Sequence, residues 1–189
     1  MCSSDLVEAA LVALNPNDGA ITALVGGFDF HRNKFNRVTQ AWRQPGSSFK
    51  PFIYSAALEK GYTPATMIDN MPLTLSADEA GGTAWEPQNY DGDTSGPVRM
   101  RTALTKSLNL VSIRILQGIG PNYARDYIRR FGFDPARHPP YLTMALGAGS
   151  VTPLQLAAAY GVFANGGFSV KPYLIDKVYD KDGRLLMEA

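Results

Sequence analysis

The chain has 189 residues, of which 45% are hydrophobic and 19% are charged. That length corresponds to one domain or part of one, and the apolar share is large enough for a core, so the composition excludes intrinsic disorder. Eighteen basic and 17 acidic residues leave a formal net charge of +1, which excludes a general basic field that would hold nucleic acid or an anionic membrane.

The low cysteine and histidine content limits the disulfides and metal sites that the chain can form. Cys2 is the single cysteine, so an internal disulfide is excluded. The two histidines, His31 and His138, have no partners at metal-ligand spacing. We interpret both of them, together with Asp69 and Asp91, as surface or turn residues. We therefore expect neither a metal nor a cofactor.

The ends of the chain show no export or membrane signal. No apolar run approaches the roughly 18–20 residues of a membrane span, and no basic segment followed by an apolar one marks a signal peptide. Residues 1–6 follow no periodic pattern, so we interpret them as a cloning or assembly scar before a domain at 7–189. Residues 171–186 form a strand-like pair that closes nothing, and we expect truncation at both ends.

The first predicted elements are a β-hairpin and a helix. Apolar residues at 7–14 and 20–25 flank the turn sequence Asn-Pro-Asn-Asp-Gly, which predicts the hairpin. Residues 28–43 mix polar and aromatic side chains without a period and are predicted to be a loop. Apolar residues then recur at helical spacing, which predicts a helix that begins near Ser47 and ends before Gly61.

The middle of the chain alternates irregular and helical segments. Residues 63–96 are irregular and contain several prolines and glycines, which is typical of a functional loop or a lid. Residues 98–118 are predicted to form two helices that meet near Ser107 and Asn109, because serine and asparagine favour helix ends. A short helix is predicted at 121–131.

Two further elements are predicted near the C-terminus. The sequence Thr-Pro-Leu-Gln at 152–155 has the pattern of a capping box, and it opens a helix that ends at Asn165. This helix is apolar nearly all round, so we predict that it lies in the core. Residues 170–179 alternate like a strand and precede the turn Asp182-Gly183.

Ser47 and Lys50 form a Ser-x-x-Lys motif at the predicted start of a helix. Residues three apart share a helix face, so the Lys50 amine can reach the Ser47 hydroxyl. A serine becomes a good nucleophile when a base removes its proton, and a lysine serves as that base once burial or a nearby cation makes it neutral. The alternative is a helix cap followed by a solvated lysine.

Ser107 and Asn109 are a second candidate pair. A hydroxyl and an amide one residue apart, at a break between helices, can face a cleft together. Serine can relay a proton to a leaving amine, and asparagine can both hold a substrate amide and fix the lysine. A simple helix cap is the alternative.

Other candidates carry less specific patterns. Trp85, Asn89 and Tyr90 lie in the long loop, where they line a cleft or serve structural packing. We add Ser48 to them as a candidate substrate contact. The glycines of Gly147-Ala148-Gly149 form a segment too short and too poorly placed for a phosphate loop.

These motifs belong to a longer pattern that closely resembles class A penicillin-binding proteins, most closely those of type 1A. Residues 43–52, Arg-Gln-Pro-Gly-Ser-Ser-Phe-Lys-Pro-Phe, resemble the nucleophile segment of that family. Further matches follow in order at residues 24–27, 35–37, 61–65, 85–90, 106–109, 146–147 and 165–167. The resemblance covers nearly all of residues 7–186.

The resemblance implies an α+β fold of the β-lactamase and D,D-transpeptidase type, with a mainly antiparallel sheet flanked by helices and an incomplete C-terminal part. It implies Ser47 as nucleophile, Lys50 as general base, and Ser107 and Asn109 as the Ser-x-Asn motif. Enzymes of this family acylate the serine with a stem peptide that ends in D-Ala-D-Ala. They then pass the acyl group to an amine of a neighbouring peptidoglycan strand, and β-lactams block them.

The pattern lacks one motif of the family, since neither Lys-Thr-Gly nor Lys-Ser-Gly occurs in the sequence. In the family this strand binds the substrate carboxylate and donates an oxyanion-hole N–H, so we expect slow turnover. The resemblance also implies a parent protein with a glycosyltransferase domain and an anchor at the periplasmic face of the inner membrane. The alternatives are a D,D-carboxypeptidase or β-lactamase-like hydrolase, an inactive penicillin-binding fragment, and a non-catalytic scaffold.

Overall fold

The structure is a computed structural model that describes residues 8–189. The predicted scar at 1–6 and the first residue of the predicted hairpin lie outside the described residues. The chain divides into two compact units. The first contains the described residues up to Trp42, together with Phe131–Phe133 and Val151–Ala189, and the second contains Arg43–Arg130 and Asp134–Ser150.

The predicted hairpin is confirmed in the first unit. Strands β1 (Leu11–Leu14) and β2 (Ile21–Val25) pair antiparallel, with Leu11 opposite Val25. The turn between them is stabilised by Asp18, whose side chain accepts a hydrogen bond of 2.8 Å from the backbone N–H of Ala20.

The segment predicted as a loop at 28–43 contains one helical turn, α1 (Arg37–Gln40). The Asn36 side chain begins it by accepting a hydrogen bond from the backbone N–H of Val38. Asparagine is a preferred N-cap, so this turn follows from a local signal that the aromatic composition of the segment conceals.

The predicted C-terminal helix is present, but its predicted place in the core is wrong. The helix runs from Pro153 to Ala164 (α7) after the cap residue Thr152, and among its residues only Ala159 and Val162 are buried. Phe163 remains 45% exposed. An all-apolar helix gives no sign of which face is covered, and within its unit this one packs on β1 and α1. The capping box is half formed, because Thr152 caps the Gln155 N–H while the Gln155 side chain donates to the Gly132 carbonyl.

The strand predicted at 170–179 is much shorter in the structure. Only Lys177–Tyr179 (here the fifth strand, β5) pairs with Leu185–Glu188 (β6), around the predicted Asp182-Gly183 turn. Earlier in the segment, Tyr173 makes one isolated parallel bridge to Ala20. Pro172 has no N–H to donate to a ladder, which interrupts the strand pattern there.

The second unit is built on two packed helices. Helix α2 (Lys50–Glu59) follows a 3-10 turn at Gly46–Phe49, and α5 (Asn109–Ile119) packs against it. Their shared core is apolar and fully buried, and contains Phe49, Phe52, Ile53, Ile113, Ile115 and Leu116. Each such side chain contributes about 1.5–3 kcal/mol through burial. This core holds the start of α2 against the start of α5.

Shorter elements surround this pair. They are the strands β3 (Met67–Ile68) and β4 (Val98–Arg99), and the helices α3 (Ala77–Ala80), α4 (Met100–Thr105) and α6 (Pro121–Tyr127). The predicted break between two helices near Ser107 is confirmed by the boundary of α4 and α5. Helices with small antiparallel sheets confirm the α+β class, although the described strands form three separate pairs rather than one sheet.

In the described part of the chain no helix is both long and apolar enough to cross a membrane.

Candidate active site

Ser47 lies in the 3-10 turn that leads into α2. Gly46 precedes it with φ of 59°, a backbone conformation that glycine adopts without strain. Ser47 is exposed, whereas the two residues that follow Ser48 are buried. The Ser48 hydroxyl donates a hydrogen bond of 2.6 Å to the Pro45 carbonyl, so its side chain stabilises this turn. The chain thus presents one hydroxyl at the surface above a buried amine.

Lys50 is the buried amine, with 1% of its surface exposed. Its Nζ donates to the Ser107 carbonyl at 2.6 Å, to the Ser107 Oγ at 3.0 Å and to the Asn109 Oδ1 at 2.7 Å. Those three acceptors match the three hydrogens of an ammonium group. Burial lowers the pKa of Lys50 from 10.5 to about 8. A neutral amine is therefore accessible near physiological pH.

The structure brings Lys50, Ser107 and Asn109 together, but the direct contact expected from the Ser-x-x-Lys spacing is not formed. Among the hydrogen bonds of residues 8–189, none joins the Ser47 hydroxyl to Lys50, and the amine is directed to the Ser107–Asn109 segment instead. The helical spacing correctly predicts neighbouring positions. It does not predict which acceptors compete for the amine.

Ser107 has an unusual backbone conformation. Its φ is 55°, and it is the one non-glycine residue with a positive φ among those described. Such a conformation costs about 1–3 kcal/mol and persists where the surroundings hold it. Here Ser107 N–H donates to the Leu104 carbonyl at 3.0 Å, while its carbonyl and hydroxyl both accept from Lys50. The strained backbone directs two oxygens of one residue at the same amine.

Asn109 is oriented from both sides. Its Oδ1 accepts from Lys50, and its Nδ2 donates to the Gln88 carbonyl at 2.8 Å. Since an amide nitrogen can only donate and its oxygen can only accept, these two contacts fix which end of the Asn109 amide faces the lysine.

The three candidates in the long loop have different surroundings. Asn89 is buried and lines a cleft of about 560 Å³, formed with Pro72, Leu73, Thr74, Glu86, Pro87, Gln88, Gly92, Thr94 and Leu110. Trp85 and Tyr90 do not line this cleft. Trp85 makes a backbone bridge with Leu75, and Tyr90 is fully exposed. The Asn89 side chain also accepts a hydrogen bond from the backbone N–H of Asn109 at 2.7 Å.

The model of the penicillin binding protein transpeptidase domain matches residues 9–188. The chain belongs to this family. It is 58% identical over 180 residues to penicillin-binding protein 1A of Neisseria lactamica, and 48% identical over 182 residues to that of Pseudomonas aeruginosa. These matches cover 95% and 96% of this chain but only 23% and 22% of the relatives, so the chain spans less than a quarter of their length.

The chain is also similar to solved structures, among them the following two. Penicillin-binding protein 1A from Haemophilus influenzae has a TM-score of 0.89 and 44% identity, over 96% of this chain and 27% of that one. PonA1 from Mycobacterium tuberculosis in complex with penicillin V has a TM-score of 0.82 and 28% identity, over 95% of this chain and 49% of that one. The fold of this chain is thus that of penicillin-binding transpeptidase domains.

His138 was interpreted as a surface or turn residue; it does end a 3-10 turn at Pro135–Arg137, but it does not lie at the surface. Its ring is fully buried and stacks on Phe49, with centroids 4.9 Å apart and planes 12° from parallel. Burial lowers the pKa of His138 to about 4, against the opposing effect of Asp134. Gly149 leaves the space that the ring needs, because a Cβ there would lie 2.2 Å from His138 Nδ1. The sequence gives no periodic signal for this packing.

Gly147 supports the turn that carries Ser47, and sequence reasoning missed it. The Gly46 N–H donates to the Gly147 carbonyl at 3.4 Å, and a Cβ on Gly147 would lie 2.2 Å from the Gly46 oxygen. Gly147 also has φ of 73°, so both space and conformation require glycine here. The signal was the Gly-Ala-Gly sequence itself, which indicates a close backbone approach.

We expect Gly147→Ala to destabilise the protein and to slow its reaction with benzylpenicillin. The added methyl group meets the backbone of Gly46, and overpacking of this kind costs about 1–3 kcal/mol beyond the strain of a positive φ. Gly61→Ala is the matched control, because Gly61 has φ of 90° with nothing within 4 Å of its Cβ position. Urea unfolding of both variants checks this, and equal losses of stability would show that the approach to Gly46 is unimportant.

Proposed function

We propose that this chain carries the acylating serine of a peptidoglycan D,D-transpeptidase, with Ser47 as nucleophile. The observation that supports it best is the buried Lys50, which is held by Ser107 and Asn109 beside an exposed serine. Family membership and the penicillin V complex of the M. tuberculosis relative support the same chemistry. The proposed substrates are stem peptides that end in D-Ala-D-Ala.

The reaction begins with the loss of one proton from Lys50. The ammonium group donates all three of its hydrogens to oxygens of Ser107 and Asn109. The neutral amine has only two hydrogens and one lone pair. That lone pair accepts the proton of the Ser47 hydroxyl as Oγ attacks the carbonyl carbon of the penultimate D-alanine. Deprotonation therefore turns Lys50 from a donor to Ser107 and Asn109 into a base for Ser47.

Acyl transfer then proceeds in two halves. The peptide C–N bond breaks as the leaving D-alanine amine receives a proton through the Ser107 hydroxyl, which leaves an ester on Ser47. The amine of a second stem peptide next attacks the ester carbonyl, and its proton returns through the same groups as Ser47 is released. With a β-lactam, the ring amide opens but stays attached, so no leaving group departs.

Intact mass spectrometry with benzylpenicillin tests the proposal on the folded chain. We expect one covalent benzylpenicilloyl group, retained for hours after excess drug is removed, because the family's acyl-enzyme resists water. A hydrolase of the carboxypeptidase or β-lactamase type would release penicilloic acid within minutes. Absence of any adduct would contradict the proposal and favour a non-acylating fragment.

We propose the parent protein's location from the resemblance to class A enzymes. Stem peptides are cross-linked at the periplasmic face of the inner membrane in that family, and a membrane anchor of the parent protein would hold the domain there. The formal net charge of the chain is +1, and we propose no nucleic-acid partner.

A further inference from the structure

The first turn of α5 is capped by a residue from the long loop. Helix N-termini leave backbone N–H groups without a helical partner, and a polar side chain just before the helix usually accepts from them. Leu108 occupies that position in α5 and makes no side-chain cap. Asn89 takes over, with its Oδ1 accepting from the N–H groups of Asn109 at 2.7 Å and Leu110 at 3.1 Å.

The Asn89 side chain is held rigidly on its other side. It is 5% exposed, and its Nδ2 donates to the Asn70 Oδ1 at 2.8 Å and to the Asp93 carbonyl at 2.6 Å. Asn70 is fully buried and donates to the same Asp93 carbonyl at 3.0 Å. An amide has two donor hydrogens and two acceptor lone pairs, and Asn89 uses all four within the protein. It therefore has no hydrogen-bonding capacity left for a substrate.

Two consecutive residues of the loop hold Asn109, one by its main chain and one by its side chain. Asn89 holds its main-chain N–H, and the Gln88 carbonyl holds its side-chain nitrogen at 2.8 Å. The remaining oxygen of the Asn109 amide faces the Lys50 amine at 2.7 Å. The loop thus fixes both the place and the direction of one of the three acceptors of Lys50.

We propose that Asn89 is a positioning residue that acts on Lys50 through Asn109, rather than a substrate contact. This inference rests on the proposed function, because it assigns Asn89 a part in preparing the general base. A small displacement of a reacting group slows catalysis by about 100-fold, so loss of the Asn89 side chain is expected to slow acylation well beyond any change in stability.

A double-mutant cycle tests whether Asn89 acts through Asn109. The variants are Asn89→Ala, Asn109→Ala and the double variant, and the measured quantity is the acylation rate constant with a fluorescent penicillin, under conditions where each protein is folded. We expect about 10- to 100-fold slower acylation for each single variant and no further slowing in the double one. If the two effects multiply instead, Asn89 acts independently of Asn109 and the proposal is overturned.

Asn165 provides a matched control in the other unit. Its Nδ2 donates to the carbonyls of Pro16 and Phe168, and its Oδ1 accepts from the N–H groups of Gly167 and Phe168. Asn165→Ala therefore removes the same set of four amide contacts, and we expect it to cost stability without changing the acylation rate constant of the folded protein. Equal slowing by Asn165→Ala and Asn89→Ala would mean that Asn89 is merely structural.

A second readout keeps this inference separate from the proposed function. The pH titration of the Lys50 side chain, followed by NMR, does not depend on acylation. We expect its midpoint to shift in Asn89→Ala, because the Asn109 oxygen that Asn89 positions is one of the three acceptors of the Lys50 ammonium group, and to stay unchanged in Asn165→Ala. If the wild-type chain takes no penicillin but the Lys50 midpoint still shifts in Asn89→Ala, the proposed function is refuted and the positioning of Lys50 by Asn89 is retained.

Conservative variants cover the case in which Asn89→Ala does not fold. Asn89→Ser keeps one polar group, but a single hydroxyl cannot make all four contacts of the Asn89 amide, so we expect slower acylation in a protein that still folds. Asn70→Ala removes only one contact of Asn89 and is expected to slow acylation less than Asn109→Ala does. Wild-type rate and an unchanged Lys50 titration in both Asn89→Ser and Asn70→Ala would overturn the proposal.

Discussion

Ser47→Ala is expected to abolish the benzylpenicillin adduct entirely. Covalent attachment needs an oxygen nucleophile at this position, and alanine supplies none. The Ser47 side chain is exposed, and its hydroxyl makes no hydrogen bond to the described residues. Its removal is therefore expected to leave the turn intact, so that any loss of adduct reports on the nucleophile alone. Intact mass spectrometry after incubation with benzylpenicillin measures the outcome directly.

Ser55→Ala is the matched control for this experiment. Ser55 lies on α2, the helix that follows the Ser47 turn, and its Oγ is 2.8 Å from the Tyr127 hydroxyl. Its loss is expected to change stability by about 1 kcal/mol and to leave the adduct at full yield. A full adduct on Ser47→Ala would show that another residue is acylated. Loss of the adduct in both variants would indicate a general effect on the helix.

The sequence was sufficient to predict the two segments that form the candidate site. Helical spacing predicts a helix that begins near Ser47, and the structure places Ser47 in the turn before α2 and Lys50 at the first residue of that helix. Ser107 and Asn109 were predicted at a break between helices because their side chains favour helix ends, and that break is also confirmed. Local signals were enough at both places, since each depends on residues within one or two turns.

Contacts between distant segments could not be predicted in the same way. Asn89 caps a helix that begins 20 residues later, and Gly147 contacts the backbone of Gly46 about a hundred residues away in the chain. Neither position has a periodic pattern, because a cap or a close approach supplied by another segment depends on the folded backbone. The burial of His138 was missed for the same reason, since its ring packs on Phe49 from a distant turn.

Lys50→Met is expected to slow acylation by benzylpenicillin by about 10²- to 10⁴-fold, the usual contribution of a general base. Methionine keeps the length and the apolar stem of lysine, so the variant removes the amine without opening a large cavity. Lys106→Met is the matched control, because the Lys106 side chain is exposed and its Nζ lies 4.0 Å from the Asp93 Oδ2. It is expected to react at the wild-type rate, and a loss as large as that of Lys50→Met would argue for a general charge effect.

The pH dependence of acylation identifies the protonation state that reacts. Lys50 acts as a base only when neutral, and burial lowers its pKa to about 8. Below that value the neutral fraction rises about tenfold with each pH unit, so the wild-type acylation rate is expected to rise with pH and to level off above about 8. The residual rate of Lys50→Met is expected to be flat over this range. A wild-type rate that is already constant between pH 6 and about 8 would mean that neutral Lys50 is not the base, because its protonation would then leave the rate unaffected.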